Sequence, residues 1–418
     1  MEHLRTAFIL LWFPKPTETF VFREITRLRD LGLPLTVHTL YGPWPRSVGG
    51  DRTGMGGDVE RLGLRSLPRL LSGICFWAGR DPGRLRDALQ TIPWRRWGTP
   101  EKTGENLWAF LCGFHLARRF VDQGISHIHA PWAGGPATAA WTASRLTGIP
   151  FSFSARAWDI YPPDGGLREK IRDAAFVRSE TRTNIPYLGG FAGAGREKLH
   201  LVYNGLTLPE VDRAPVPMVP PYRFLALGRL VGKKGFDILL TACGLLQRAG
   251  LPFELTLAGS GPLEKRLKAR CRRLGLEPRV HFPGFVPHDR VAELFRKADV
   301  FIMPCVIDRS GDRDGIPTVI MEALMHRVPV VAADVSGVGE VIRDGVTGHL
   351  VAPGDPAGLA KAVVRLLKGR QAALQMAERG REQVLRDFDP QACARTMLRL
   401  LTEAAASPAP TNRRDSSP

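Results

Sequence analysis

Short apolar runs rich in β-branched and aromatic residues alternate with amphipathic stretches of helical length, and the alternation occurs twice along the chain. The first series reads Thr6–Trp12, Phe20–Leu31, Leu35–Leu40, Leu107–Val121, Ile125–His129, Ala137–Leu146 and Phe151–Ser154. The second reads Arg223–Leu227, Phe236–Ala249, Phe253–Ala258, Leu263–Leu274, Val280–Phe282, Asp289–Lys297, Val300–Met303, Thr318–His326 and Val328–Ala332. Strand-like runs separated by a helix rather than a tight turn pair in parallel, so each series implies an α/β unit with a parallel sheet. Between the two lies PEVDRAPVPMVPP, Pro209 to Pro221, and the domain boundary is placed there. A single large sheet with a surface loop at that point is the alternative.

The chain of 418 residues has room for two domains, and its 44% hydrophobic and 24% charged content is that of a globular protein. Glycine (44) and proline (34) are both abundant, as many strand-to-helix turns require. The net charge of +17 permits attraction to nucleic acid, anionic lipid or phosphorylated substrates without choosing among them. The charge divides +8 and +9 between the halves, with no dense basic stripe or interleaved stacking aromatics, which argues against nucleic acid. Six scattered cysteines (75, 112, 243, 271, 305, 393) form no C-x-x-C pair and read as reduced thiols of a cytoplasmic protein. The apolar run Ala7–Phe13 is too short to span a membrane and meets Pro14-Lys15-Pro16, so it reads as a buried first strand.

Two segments depart from the alternation. Residues 46–104 insert glycine-rich sequence followed by LPRLLSGICFW and IPWRRWG, and residues 61–119 carry eleven Lys and Arg against four Asp and Glu. Interleaved tryptophan, leucine and arginine suit an amphipathic element on an anionic membrane surface, with Trp94, Arg95, Arg96 and Trp97 as its test positions. A helical insertion packed on its own domain is an equal alternative. Residues 405–418, largely SPAPTNRRDSSP, are expected to be a disordered tail.

Three features could carry chemistry. GRLVGKKGFDILL, Gly228 to Leu240, ends a strand at glycine, carries Arg229, Lys233 and Lys234, and opens a helix, which can offer cations and amides to a diphosphate. Ala258-Gly259-Ser260-Gly261-Pro262 is a second glycine turn where a backbone could approach a nucleotide. Asp314-Gly315-Ile316-Pro317-Thr318 leads into a helix, with Glu322 placed to accept from vicinal hydroxyls. Each feature alone is equally compatible with an ordinary turn or a solvated charge. Together they follow one another at strand ends, where open α/β sheets bind ligands.

In that order, with VYNG (Val202 to Gly205) ahead of the linker, the motifs resemble family 4 of the retaining glycosyltransferases over about residues 5–400. The resemblance implies a GT-B fold, two Rossmann-like domains facing a central cleft. It divides the chain into an acceptor domain (1–210), a nucleotide-sugar domain (211–388), a helix crossing back to the first domain (389–404) and the tail. Arg229 and Lys234 are then assigned to the donor diphosphate. Asp314 and Glu322 match the family's Glu-x7-Glu pair, for sugar and ribose hydroxyls respectively, with aspartate in the first place here. Gly228, Gly259, Gly261, Gly315, Ile316 and Thr318 line the donor by their backbone, Pro317 having no N–H to give.

In the first half, PTETFVFREITRL (Pro16 to Leu28) and HIHAPWA (His127 to Ala133) resemble segments of the subgroup that makes exopolysaccharide and colanic-acid-like chains. This places Thr17, Glu18, Thr19 and His129 toward the acceptor, an ordinary packed histidine being the alternative for His127 or His129. FSFSARAWDIY matches a segment usually reading F-T-A-H-A-x-D-I, with Arg156 in the histidine's place near the reacting sugar and Asp159 retained as a nearby carboxylate toward the acceptor. Arginine cannot act as a base there but can hold an anion. Asp312-Arg313-Asp314 mimics a D-x-D metal motif, yet falls inside the acidic-pair segment, so no essential metal and no cofactor are expected.

The expected function is retaining hexosyl transfer from a UDP- or GDP-linked sugar to a glycan or lipid-linked glycan. It is expected in the cytoplasm or on the inner face of the membrane, in exopolysaccharide, capsule or lipopolysaccharide assembly. A catalytically altered GT-B protein that binds nucleotide-sugar without transfer is the alternative. A phosphorylase or a nucleotide-sugar epimerase shares the fold, but the acidic pair favours transfer.

Overall fold

A computed structural model describes residues 4–15, 18–42, 59–207 and 218–406. Thr17, positions 46–58 of the insertion, most of the proline-rich linker and residues 407–418 lie outside the described residues. The chain forms two compact units that exchange at Leu206/Thr207 and again at Asp389/Pro390.

The first unit runs β1 (Thr6–Leu10), α1 (Thr19–Asp30), β2 (Leu35–Thr39), β3 (Val59–Arg61), α2 (Leu67–Arg80), α3 (Pro82–Thr91), α4 (Pro100–Asp122), β4 (His127–Ala130) and α5 (Gly135–Thr147). It continues β5 (Phe151–Ala155), α6 (Ala157–Ile160), α7 (Leu167–Asp173), β6 (Phe176–Ser179), α8 (Asn184–Ala192) and β7 (Leu199–Leu201). All pairs are parallel in the order β3-β2-β1-β4-β5-β6-β7. A parallel sheet is covered on both faces, and β1 shows why its run is apolar throughout. Ala7 and Ile9 join the core with Phe110 and Phe114 of α4 and Trp141 of α5. Phe8 and Leu10 point the other way, to Val21, Ile25 and Leu28 of α1.

The second unit runs β8 (Tyr222–Leu227), α9 (Phe236–Arg248), β9 (Phe253–Ala258), α10 (Glu264–Arg273), β10 (Val280–His281), α11 (His288–Lys297) and β11 (Val300–Met303). It ends with α12 (Thr318–Met325), β12 (Val330–Ala333), α13 (Val338–Val341), β13 (His349–Val351), α14 (Pro356–Lys368) and α15 (Arg370–Asp387). Its sheet is also parallel, ordered β10-β9-β8-β11-β12-β13. Asp355 caps α14 by accepting from the Gly358 N–H at 2.8 Å.

The last helix, α16 (Pro390–Ala406), belongs to the first unit, where Met397, Leu400, Leu401 and Ala404 pack on the α1 side of the sheet. It extends through Ala405 and Ala406, which were expected in the tail; both are good helix formers that prolong an already packed helix.

The basic insertion departs from a uniformly surface-lying element. Trp97 is only 2% exposed and covers the Lys170 ammonium, which lies 5.4 Å from its ring centre. Arg95 is tied to Glu169 of α7. Trp94, three residues away, is 82% exposed. So the WRRW run splits, with one tryptophan in the core and the other outside. No helix among the described residues is long and apolar enough to cross a membrane.

Candidate active site

In the second unit the chain winds from β8 outward through β9 and β10, then jumps back to place β11 on the other side of β8. The β8/β11 border is therefore the point where strand order reverses, and such points open a crevice at the C-terminal strand ends. The loops that follow these strands carry the residues singled out from sequence. After β8, Gly228 and the exposed Arg229 lead to a 3-10 turn, Gly232–Lys234. After β11, residues 304–317 lead into α12, and the Val306 N–H donates to the Lys233 carbonyl at 2.9 Å, stitching the two loops together.

The glycine turn after β9 closes the third side. The Gly228 N–H donates to the Ala258 carbonyl at 3.0 Å, and the Leu230 N–H to the Ser260 carbonyl at 2.9 Å. Gly259 has φ +137°, and a Cβ placed there would lie 1.9 Å from the Gly228 carbonyl oxygen. Only glycine allows the two turns to meet so closely. Gly261 sits likewise against the Leu230 backbone.

Four charges meet at the loop junction. Lys234 Nζ lies 2.7 Å from Asp314 Oδ2, and Lys233 Nζ lies 3.3 Å from Asp314 Oδ1 and 3.0 Å from Asp312 Oδ1. Burial opposes ionisation of Asp314, but the two ammoniums outweigh it and hold the carboxyl below its ordinary range. Burial likewise pushes Lys234 down, and the Asp314 carboxylate more than reverses it, so the lysine stays charged. The Cys305 thiol, pushed up to about 12 by burial, lies 3.7 Å from Asp314 and remains protonated. Thus the residues assigned from sequence to the diphosphate and to the sugar, Lys234 and Asp314, engage each other in this structure. Both D-x-D carboxylates are held by Lys233.

Arg229 makes no ion pair with any described residue. The N–H groups of Gly315, Ile316 and Thr318, at the start of α12, find no acceptor among the described residues. Pro317 precedes that helix, and Glu322 sits half-buried on its second turn. A lysine pair, a rim arginine and uncovered amides at a helix N-terminus form a place suited to a diphosphate.

The first unit reverses at the β1/β4 border, and there Glu18 and Trp132 meet, the indole Nε1 donating at 3.3 Å. Glu18 is also held by Lys15 at 2.6 Å, and Thr19 is exposed at the start of α1. Arg156, 2% exposed, lies with its guanidinium carbon 4.5 Å from the Phe20 ring centre and 5.3 Å from that of Trp132. It donates to the Pro131 carbonyl at 3.0 Å, to Asn204 Oδ1 at 3.0 Å and to Glu180. Arg178 shares Asn204 at 3.0 Å and pairs with Glu24. Arg156 is therefore bound inside a network of two arginines and two glutamates.

Asp159 accepts from the N–H groups of Ala133 and Arg156 and holds the loop after β4 to the loop after β5. Expected at the acceptor, it is 9% exposed and makes these loop contacts. The side chain of Lys170, wholly buried, braces the same loop by donating to the Ala133 carbonyl at 2.7 Å and the Gly134 carbonyl at 3.1 Å.

His127 and His129 both point into the core, since i and i+2 share one face of a strand. They bracket the Ser152 hydroxyl at 2.7 and 2.8 Å, with the Phe176 ring stacked beside them. Neither is exposed, and burial pushes both below the ordinary imidazole range. His129, expected toward the acceptor, is enclosed in this core with His127.

Glu24, Arg178, Glu180, Asn204 and Lys170 escaped the sequence reading. Two of them lay inside quoted motifs, Glu24 in the TETFVFREI segment and Asn204 in VYNG, but their partners are distant in sequence.

Comparison with known proteins adds identity to this geometry. The family model for glycosyl transferases group 1 matches residues 212–383, which is the second unit nearly entire. The chain is 27% identical over 423 residues to the colanic acid biosynthesis glycosyltransferase WcaL of Escherichia coli, covering 95% of this chain and 99% of that one. It is 35% identical over 294 residues to the GDP-mannose-dependent alpha-(1-6)-phosphatidylinositol monomannoside mannosyltransferase of Mycobacterium tuberculosis, covering 64% of this chain and 73% of that protein. Among solved structures, Anabaena HepE in complex with UDP and glucose superposes with a TM-score of 0.67 at 18% identity, covering 96% of this chain and 100% of HepE. The chain belongs to the glycosyl transferases of group 1, built on the GT-B fold.

Proposed function

We propose that this glycosyltransferase is a retaining hexosyltransferase that moves a sugar from a nucleotide diphosphate donor onto a glycan of exopolysaccharide, capsule or lipopolysaccharide assembly, in the cytoplasm. The observation that carries the donor assignment is the junction at the β8/β11 border, where Lys233, Lys234 and Arg229 stand beside the uncovered amides of Gly315, Ile316 and Thr318. In this reading the donor diphosphate takes over the lysines. Asp314 then turns its carboxylate to the sugar hydroxyls while Glu322 accepts from the ribose. Arg229 and Lys234 offset the charge that builds on the leaving phosphate, and no metal is required. The Glu18–Thr19 turn faces the acceptor, and Arg156 and Asp159 hold the loops behind it. UDP with HepE, GDP-mannose for the mycobacterial relative and colanic acid for WcaL support the donor class and the polysaccharide setting.

Calorimetry with UDP, GDP, ADP and their common sugars tests the reading. Saturable binding of one nucleotide class is expected, weakened at least tenfold in Lys234→Ala and in Glu322→Ala, with turnover unchanged by EDTA. A folded chain that binds none of them overturns it. Arg156 in the histidine's place favours a second reading, a nucleotide-sugar-binding protein without transfer. Tight donor binding with no turnover on any glycan acceptor decides for that one.

A further inference from the structure

The helix α2 has two faces with different fates. Its inner face is consumed: Leu70 and Trp77 are buried, the Trp77 Nε1 donates to the Phe114 carbonyl at 3.2 Å, and a Cβ on Gly73 would come within 2.9 Å of the His115 nitrogen. The helix is pressed against the α4 backbone and has no freedom to turn over. Its outer face is apolar as well. Leu64, in the 3-10 turn that leads into α2, is 83% exposed, Leu67 43% and Leu71 52%, spaced as one stripe that continues through exposed Cys75 and Ala78.

Along the segment that carries the stripe the exposed charges have one sign. Between residues 61 and 97 the exposed charged residues are Arg65, Arg69, Arg80, Arg84, Arg86 and Arg96, with no exposed Asp or Glu. The segment's two acids, Asp81 and Asp87, are half-buried and paired with Arg84 and Arg145. Arg65 and Arg69, flanking the leucines, have no ion-pair partner among the described residues.

We propose that the Leu64–Leu67–Leu71 stripe of α2, with Arg65 and Arg69, docks on the surface of an anionic lipid bilayer. Leucines at the acyl boundary and arginines whose stems follow them while their heads reach lipid phosphates are the two parts of an interfacial helix. A second copy is a poorer occupant, because a self-complementary contact would set this cationic segment against itself. Nucleic acid would leave the leucines without a role. The surface belongs to the first unit and the donor loops to the second, so the proposal does not depend on the reading of that site.

Flotation of the full chain with phosphatidylcholine vesicles, with and without phosphatidylglycerol, at physiological salt is the test. Nucleotide binding and the melting temperature serve as folding controls for each variant. The wild-type chain is expected to float only with the anionic vesicles. Leu64→Ser/Leu67→Ser/Leu71→Ser and Arg65→Gln/Arg69→Gln should each weaken that partition by roughly tenfold or more, about 1 kcal/mol per arginine being the usual contribution. Three results overturn the proposal: no flotation with either vesicle, a folded leucine variant that floats as well as wild type, or a micromolar dimer in sedimentation that the leucine changes dissolve.

Discussion

Lys234 Nζ lies 2.7 Å from Asp314 Oδ2, joining two loops that are 80 positions apart in sequence and adjacent at the β8/β11 border. Both side chains are largely buried, and Lys233 adds a second ammonium at 3.3 Å. Removing the carboxylate charge leaves Lys234 without its ion-pair partner and Lys233 with one fewer, whereas removing Lys234 leaves Asp314 still paired with Lys233. Asp314→Asn is therefore expected to lower the unfolding free energy by about 1–3 kcal/mol, and Lys234→Met by less. Urea denaturation of both variants checks the order. Equal losses would mean that Lys233 does not share the carboxylate. In turnover both variants should fall by roughly 10²-fold, the usual scale for one preorganised charge.

The acid response of stability separates two buried groups of opposite sign. His127, pushed down to about 3 by burial, and His129, pushed well below its ordinary value, stay neutral when folded but take protons in the unfolded chain below about 6.5. Their contribution is complete above that pH and is lost as the pH falls. Burial pushes Asp159 the other way, up to about 7, against the pull of the Ala133 and Arg156 N–H groups and the Arg156 guanidinium. Between about pH 4 and 7 the folded state holds a proton there that the unfolded state has released, so this group favours folding as the pH falls. Asp159→Asn removes only the second effect. Its unfolding free energy should fall between pH 6.5 and 5 more steeply than wild type by one proton, about 1.4 kcal/mol per pH unit. Urea titrations at four pH values give the slopes, and parallel slopes refute the assignment.

Arg156 stands where the resembling segment carries histidine, and its surroundings say what a reversion does. The guanidinium serves Glu180, Asn204 and the Pro131 carbonyl at once. An imidazole cannot span these partners, so Arg156→His should destabilise the first unit by about 3–5 kcal/mol, the cost of breaking a buried pair. Arg156→Met/Glu180→Gln should recover much of that loss, because no uncompensated charge remains. A double change no more stable than the single one would place Arg156's importance elsewhere.

The two sheets were legible because a strand buried on both faces is apolar at every position, as Phe8, Ile9 and Leu10 are, and such runs stand out between helices. The strand ends at Gly228 and Gly259 were legible for a related reason, since glycine marks where two backbones meet. What escaped is pairing at a distance. Trp94 and Trp97 look alike in sequence, and only the turn at Gly165–Gly166, which packs on the Trp97 ring, decides which one is buried. His127 and His129 share a face by spacing, but that the face is the core depends on Ser152 and Phe176 from other strands. The loops after β8 and β11 were each identified, yet nothing local to either shows that their charges meet.

The glycine turn after β9 offers a test of whether close approach or backbone conformation matters more at the donor site. Gly259 and Gly250 both have positive φ, +137° and +75°, so alanine strains the backbone at either place. Around Gly250 a Cβ would meet nothing within 4 Å, whereas at Gly259 it would lie 1.9 Å from the Gly228 carbonyl oxygen. Gly250→Ala should therefore cost about 1–2 kcal/mol and leave nucleotide binding intact. Gly259→Ala adds a backbone clash of about 1–3 kcal/mol and parts the turn from Gly228. Since Gly228 leads directly to Arg229 and the lysine turn, this second variant should also weaken nucleotide diphosphate binding by tenfold or more. Calorimetry on the two variants, beside their melting temperatures, reads both quantities. Loss of binding in Gly250→Ala as well would trace the effect to general loosening of the second unit rather than to the contact between the two turns.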